Sequence, residues 1–90
     1  MTERQQGMHA ALTVLAAKCE RYVDRYNMAT VAHGMSSVYA QLNKAAITAL
    51  RDAAEAVRVE AMLPPDAVPA VLRADYQPPS EKMDAAKVTR

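Results

Sequence analysis

The chain has 90 residues, with 11 basic side chains, 10 acidic side chains and a single cysteine. This length fits one domain. The charges nearly balance, so the chain lacks the basic excess typical of nucleic-acid-binding domains. A single cysteine excludes an internal disulfide. Apolar residues make up 51% of the chain, but 19 of them are alanines, and Phe and Trp are absent. Because alanine buries little area, we expect a thin core that a second chain helps to complete.

Glycine and proline divide the chain into two long stretches suited to helices. Between residues 8 and 63 the only glycine or proline is Gly34. The pattern predicts a first helix over about 4–33 and a second over about 37–62. Gly34 suits the cap at the end of the first helix, and a serine at 36 or 37 suits the start of the second.

Five prolines crowd into the last third of the chain. After Pro64-Pro65, the sequence predicts a short helix over about 67–75. Residues 1–76 are therefore expected to form one helical hairpin domain. Residues 77–90 contain little to bury and are expected to form a flexible C-terminal tail or a segment that orders on binding.

Each long helix carries an apolar stripe whose members recur in steps of three and four. The stripe of the first helix is Met8, Leu12, Leu15, Cys19, Tyr22, Tyr26, Ala29 and His33. The stripe of the second helix is Tyr39, Leu42, Ala46, Leu50, Ala53, Val57 and Ala61, widened by Ile47, Ala54 and Met62. In an antiparallel hairpin, residues whose numbers sum to about 70 lie side by side, so tyrosines of the first helix meet alanines of the second.

The apolar arc of the second helix is wider than one helix–helix contact requires. Either the C-terminal segment or a second chain must cover the remainder. We expect both to contribute, and the assembly that best satisfies this is a homodimeric four-helix bundle.

Residues that could carry chemistry are few and far apart. Cys19 lies on the apolar stripe, and His9 and His33 are about 15 and 21 Å from it along a continuous helix. Metal-ligand spacings and a glycine-rich phosphate loop are missing from the sequence, whose only glycines are Gly7 and Gly34. The sequence therefore predicts a protein that is not an enzyme and has no cofactor or metal site.

A basic row on the second helix raises the alternative of nucleic-acid binding. Lys44, Arg51 and Arg58 recur every seven residues. Acidic residues such as Asp52 and Glu55 lie among them and reduce the local potential. No aromatic side chain alternates with the row to stack on bases, so nucleic-acid binding remains the second hypothesis.

Several large apolar residues fall outside the stripes or at the turn, and they are candidates for binding a partner protein. Methionine adapts to irregular surfaces, and tyrosine is enriched in interface cores. One candidate group surrounds the turn and consists of Met28, Val31, Met35, Val38 and Tyr39. A second group lies in the predicted short helix and consists of Val68, Leu72 and Tyr76.

The outline of a helical hairpin, an alanine-rich second helix, a Leu-Pro-Pro break and a short terminal helix resembles several groups of small bacterial and phage regulators. These groups include immunity proteins, antiactivators of transcription factors and phage-encoded inhibitors. The resemblance is architectural and assigns no residue a role. It implies a non-enzymatic inhibitor or regulator that blocks or sequesters a protein partner, with a structural assembly subunit as a further alternative. The lone cysteine and the lack of a long apolar run favour the cytoplasm.

Overall fold

A computed structural model describes residues 2–81 and shows an all-helical hairpin. Helix α1 spans Glu3–His33 and helix α2 spans Val38–Glu60. Two single turns of 3-10 helix follow, at Pro65–Ala67 and Ala70–Leu72. No strand occurs within the described residues, so the expected all-α fold is confirmed, and the long helices begin and end within two residues of the predicted bounds.

Side-chain and backbone caps fix both ends of α1. The Thr2 hydroxyl accepts a hydrogen bond from the Gln5 backbone N–H (3.1 Å), and the Gln5 side-chain oxygen accepts one from the Thr2 backbone N–H (3.1 Å). This reciprocal pair satisfies two donors that the first helical turn leaves free. At the other end Gly34 has φ +90° and donates its N–H to Thr30. Its ψ of 156° is not that of a left-handed helical residue, so the cap uses glycine's freedom at positive φ in a more extended form.

Helix α2 begins at a serine cap and ends in a left-handed turn. The Ser37 hydroxyl accepts a hydrogen bond from the Ala40 N–H at 3.2 Å. After Glu60 the chain turns through Met62, which has φ +55°, and the Leu63 N–H bonds to the Arg58 carbonyl at 3.0 Å. This six-residue closure is the Schellman motif. It ends the helix two residues earlier than the predicted position 62.

Contacts along the hairpin agree with the predicted antiparallel pairing. The Lys44 ammonium lies 5.3 Å from the centroid of the Tyr26 ring. Nearer the turn, the rings of His33 and Tyr39 lie 4.9 Å apart. At the opposite end, an Arg4–Glu60 ion pair of 3.0 Å and a hydrogen bond from Gln5 to the Ala61 carbonyl join the two helices.

The buried stripe of α1 follows the predicted spacing but is turned slightly from the predicted set. Leu15 and Tyr22 are only half-buried, whereas Ala16 and Val23 are buried. The buried residues are Leu12, Ala16, Cys19, Val23, Tyr26 and Thr30.

The buried stripe of α2 matches the prediction only in part: Ala61 belonged to the predicted stripe and Ile47 and Ala54 to its widening, whereas Ala40 was not predicted. The buried residues of α2 recur every seven positions and are Ala40, Ile47 and Ala54, and Ala61 continues the row just past the end of the helix. Tyr39, Leu42 and Ala53, which were expected to make this contact, are exposed. Alanine occurs around much of α2, so the sequence of this helix only weakly determines which of its sides turns toward α1. The fully buried Ile47 lies at the centre of the contact instead.

The C-terminal segment folds back over the flank of α2 that carries Lys44, Arg51 and Arg58. Where one short helix over 67–75 was expected, the chain makes two 3-10 turns separated by Val68 and Pro69. Proline lacks the N–H that a continuous helix would use there. Val71 and Leu72, which belong to this segment, are buried and complete the core.

Residues 77–81 of the expected tail pack against the hairpin. Pro78 is almost fully buried and Ser80 is 6% exposed. The Ser80 hydroxyl and backbone N–H both donate to the Asn27 side-chain oxygen, at 2.7 and 3.3 Å. The prediction of a tail from residue 77 is therefore wrong for this stretch, because proline packing and polar contacts to α1 hold it. Residues 82–90 lie outside the described part.

Candidate interaction surface

The structure leaves the predicted partner-binding group around the turn on the surface. Each of its five members is at least 36% exposed, and Val31 reaches 82%. They do not form one continuous patch. Met28 and Val31 lie one turn apart on α1, whereas His33, which contacts Tyr39, points about 140–160° away from both on the helix. Tyr39 therefore lies on a different side of the hairpin.

The second predicted group lies mainly in the core of the chain itself. Val68 is 5% exposed and Leu72 is 3% exposed, so neither offers a surface to a partner. Tyr76 is half-buried, and the Arg51 guanidinium lies 5.6 Å from the centroid of its ring. The sequence identified these residues as apolar but could not show that the C-terminal segment would bury them against α1 and α2.

A separate apolar surface runs along α2, and we call it the open face. It consists of Tyr39, Leu42, Ala46, Ala49 and Ala53, which follow one another in steps of three and four. Leu42 is 66% exposed, Ala46 is half-buried, and the others are exposed. Sequence reasoning assigned most of this surface to the contact with α1, although the excess width of the apolar arc did indicate that part of it would lack an intramolecular partner.

The basic row of α2 is engaged in contacts within the chain. The Arg51 Nε and a terminal nitrogen donate to the carbonyls of Val71 and Tyr76, both at 3.2 Å. Arg58 bonds to the Glu55 carboxylate and to the Leu63 carbonyl. These arginines hold the C-terminal segment in place. The sequence could not assign them that role, because their acceptors in the segment are backbone carbonyls, which carry no side-chain signature, and those of Arg51 lie 20 and 25 residues away.

Between this row and the C-terminal segment lies a cleft of about 710 Å³. Its lining includes Arg51, Arg58, Arg73 and Asp75. Arg73 donates to the carbonyls of Val68 (2.9 Å) and Asp66 (3.2 Å). All three guanidiniums therefore already bond within the chain.

Glu81, the last residue that the structure describes, belongs to a polar network with both long helices. The Glu81 carboxylate accepts hydrogen bonds from the Lys44 ammonium (2.5 Å) and the Tyr26 hydroxyl (2.8 Å). Partial burial acts to raise the pKa of Glu81, but the hydrogen bonds from Lys44 and Tyr26, with the positive charges of Lys44 and Arg51, outweigh it and lower the pKa.

Cys19 is buried, as its place on the apolar stripe predicted. Its Sγ donates to the Val71 carbonyl at 3.7 Å. Burial raises the pKa of the thiol despite the opposing charge of Arg51. A protonated, buried thiol is a poor nucleophile, so this environment suits a core residue.

Within residues 2–81, no group of three or more histidine, cysteine or acidic side chains is arranged to hold a metal ion. None of the described helices has the length and apolar character needed to cross a membrane. Comparison of the chain with protein-family models, curated proteins and solved structures finds no match.

Proposed function

We propose that the chain is a small non-enzymatic regulator that binds another protein and blocks or sequesters it. The observation that supports this most directly is the set of large apolar side chains exposed around the turn. Met28, Val31 and Val38 are each more than 60% exposed. Neighbouring exposed apolar side chains, such as Met28 and Val31 one turn apart on α1, are typical of protein-interaction sites, and methionine adapts well to a partner's shape. The rigid hairpin offers them on a preformed helical surface.

We further propose that the protein works as a homodimer in the cytoplasm. The exposed apolar length of α2 supports self-association, and a single buried thiol is compatible with a reducing compartment. A nucleic-acid-binding bundle receives less support, because Lys44, Arg51 and Arg58 are engaged within the chain. An assembly subunit would require growth beyond a dimer.

The proposal can be tested by affinity capture from a lysate of the native host, with and without nuclease. The test variant is Val31→Asp, and the control is Val14→Asp, which changes another exposed valine on α1 (55% exposed) away from the turn. We expect one dominant protein to bind the wild-type chain in a nuclease-resistant manner and to be lost with Val31→Asp alone. Capture that vanishes with nuclease, or equal loss with both variants, would contradict the proposed surface.

A further inference from the structure

Residues 77–81 cross the hairpin as a short segment that we call the strap. Among them only Pro78 buries an apolar side chain, whereas Gln77 and Pro79 are exposed. The strap follows Tyr76, whose carbonyl is held by an arginine of α2. A segment that buries little apolar area opens locally more readily than packed helices do. The strap can therefore leave its site while the two long helices stay folded and Tyr76 stays in place.

The surface under the strap recognises particular chemical groups. The Lys44 ammonium and the Tyr26 hydroxyl come from different helices and donate to the same oxygen of the Glu81 carboxylate. The Asn27 side-chain oxygen accepts hydrogen bonds from both the hydroxyl and the N–H of Ser80. Hydrogen bonds to a charged group are stronger than those between neutral groups. The surface is therefore suited to a short segment in which a small hydroxyl residue is followed directly by an acid.

This surface adjoins the exposed residues around the turn. Val31 follows Asn27 by four residues, so it lies one turn further along α1 and only about 40° around the helix. It is 82% exposed and is left uncovered by the strap. A protein bound at Val31 is therefore next to the site that the strap occupies.

We infer that the strap is an autoinhibitory contact and that an acidic, proline-containing segment of the partner protein displaces it. That segment carries a proline and, two residues later, a serine or threonine followed by a glutamate or aspartate, and it binds Asn27, Tyr26 and Lys44 in place of the strap. The inference rests on the function proposed above and adds the chemistry of the partner. In the free chain the strap competes with the partner as a tethered ligand, at an effective concentration in the roughly millimolar range.

Opening of the strap is tested by hydrogen exchange, followed by NMR on the full wild-type chain. The Ser80 N–H donates to the Asn27 side chain at 3.3 Å, and the Glu81 N–H donates to the Pro78 carbonyl at 3.0 Å. We expect both amides to exchange at least about 100-fold faster than the Ile47 amide in the centre of α2, because the strap opens without the helices. Exchange of all three amides at one rate would show that the strap leaves only when the whole chain unfolds, and would overturn the inference.

Displacement is tested with a synthetic peptide that copies residues 77–81, blocked at both ends and labelled with a fluorophore. Fluorescence anisotropy measures its binding to the full chain. The wild type should bind it with an apparent Kd in the roughly millimolar range, because the tethered strap competes. Glu81→Lys repels the strap from Lys44 and should tighten the binding at least about tenfold. The same peptide with glutamine in place of its glutamate should bind this variant at least about tenfold more weakly.

Two further variants locate the binding site. Glu60→Lys is the matched control, because it reverses an acidic charge in the exposed pair with Arg4, away from the strap. It should leave the apparent Kd of the peptide within about twofold of the wild-type value. Lys44→Met, added to Glu81→Lys, should abolish the binding, because it keeps the length of the side chain and removes the ammonium that holds the carboxylate.

Circular dichroism should show that Glu81→Lys keeps its helicity. Ser80→Ala is the milder second variant, since it removes one bond to Asn27, and it should tighten the peptide about threefold. Equal affinity of the wild type and both strap variants, or equal affinity for the glutamate and glutamine peptides, would overturn the inference. The peptide assay uses no host protein, so its failure is distinguishable from a failure of capture at Val31.

Discussion

Glu81→Gln should destabilise the folded chain by about 1–2 kcal/mol at neutral pH. The Glu81 carboxylate accepts hydrogen bonds from Lys44 and Tyr26, and its side chain is only 15% exposed. Each hydrogen bond to a charged group contributes about 1.5–3 kcal/mol when buried. Lys44 is 33% exposed, so solvent screens part of the interaction, and the glutamine oxygen can keep one of the two bonds. For a domain of this size the loss lowers Tm by about 5–10 °C.

The effect of Glu81→Gln should disappear in acid, and the direction follows from the lowered pKa of Glu81. The folded state holds the proton less tightly than the unfolded state does. The stabilisation by the carboxylate is therefore complete above the unfolded pKa and is lost as pH falls through the lower folded pKa. Wild type and variant should converge as the pH falls below about 4.

The assay is thermal unfolding followed by circular dichroism, at one chain concentration because association shifts Tm. The control is Glu60→Gln, which removes an ion pair whose two side chains are both 65% exposed and should cost less than about 0.5 kcal/mol. A Glu81→Gln effect no larger than that of the control, or one that persists undiminished in acid, would refute the stabilising role of the network.

Two further changes test the core and the end of α2. Ile47→Ala should lower the free energy of unfolding in urea by about 2–5 kcal/mol, because the side chain is fully buried. The control Val59→Ala, at a site 58% exposed, should lower it by less than about 0.5 kcal/mol. Similar losses for the two variants would place the centre of the core elsewhere. Met62→Gly should raise stability by about 0.5–1 kcal/mol, because Met62 has φ +55° and its side chain is 84% exposed. A loss of stability with Met62→Gly would show that the side chain contributes more than the backbone strain costs.

The two long helices could be predicted because their signals are local. Gly34 and Pro64 bound the helical stretches, Ser37 provides a capping oxygen, and the short turn requires an antiparallel pair. These features depend on backbone chemistry within a few residues. The candidate surface was predicted only in part: the exposed residues around the turn were identified, but Val68 and Leu72 were assigned to it although they are buried.

The sequence by itself determined the helices, their pairing direction and the presence of more apolar surface on α2 than one contact needs. The tertiary structure decided which part of that surface stays open. Because alanine occurs on several sides of α2, several rotations of this helix about its axis would bury similar areas. The rotation that forms depends on Ile47 and on where the C-terminal segment packs. That segment is held by Arg51 through the carbonyls of Val71 and Tyr76, which are distant in sequence, and by Arg58 through the carbonyl of Leu63 just past the end of the helix. Such partners carry no side-chain signature, and only the folded chain brings them together.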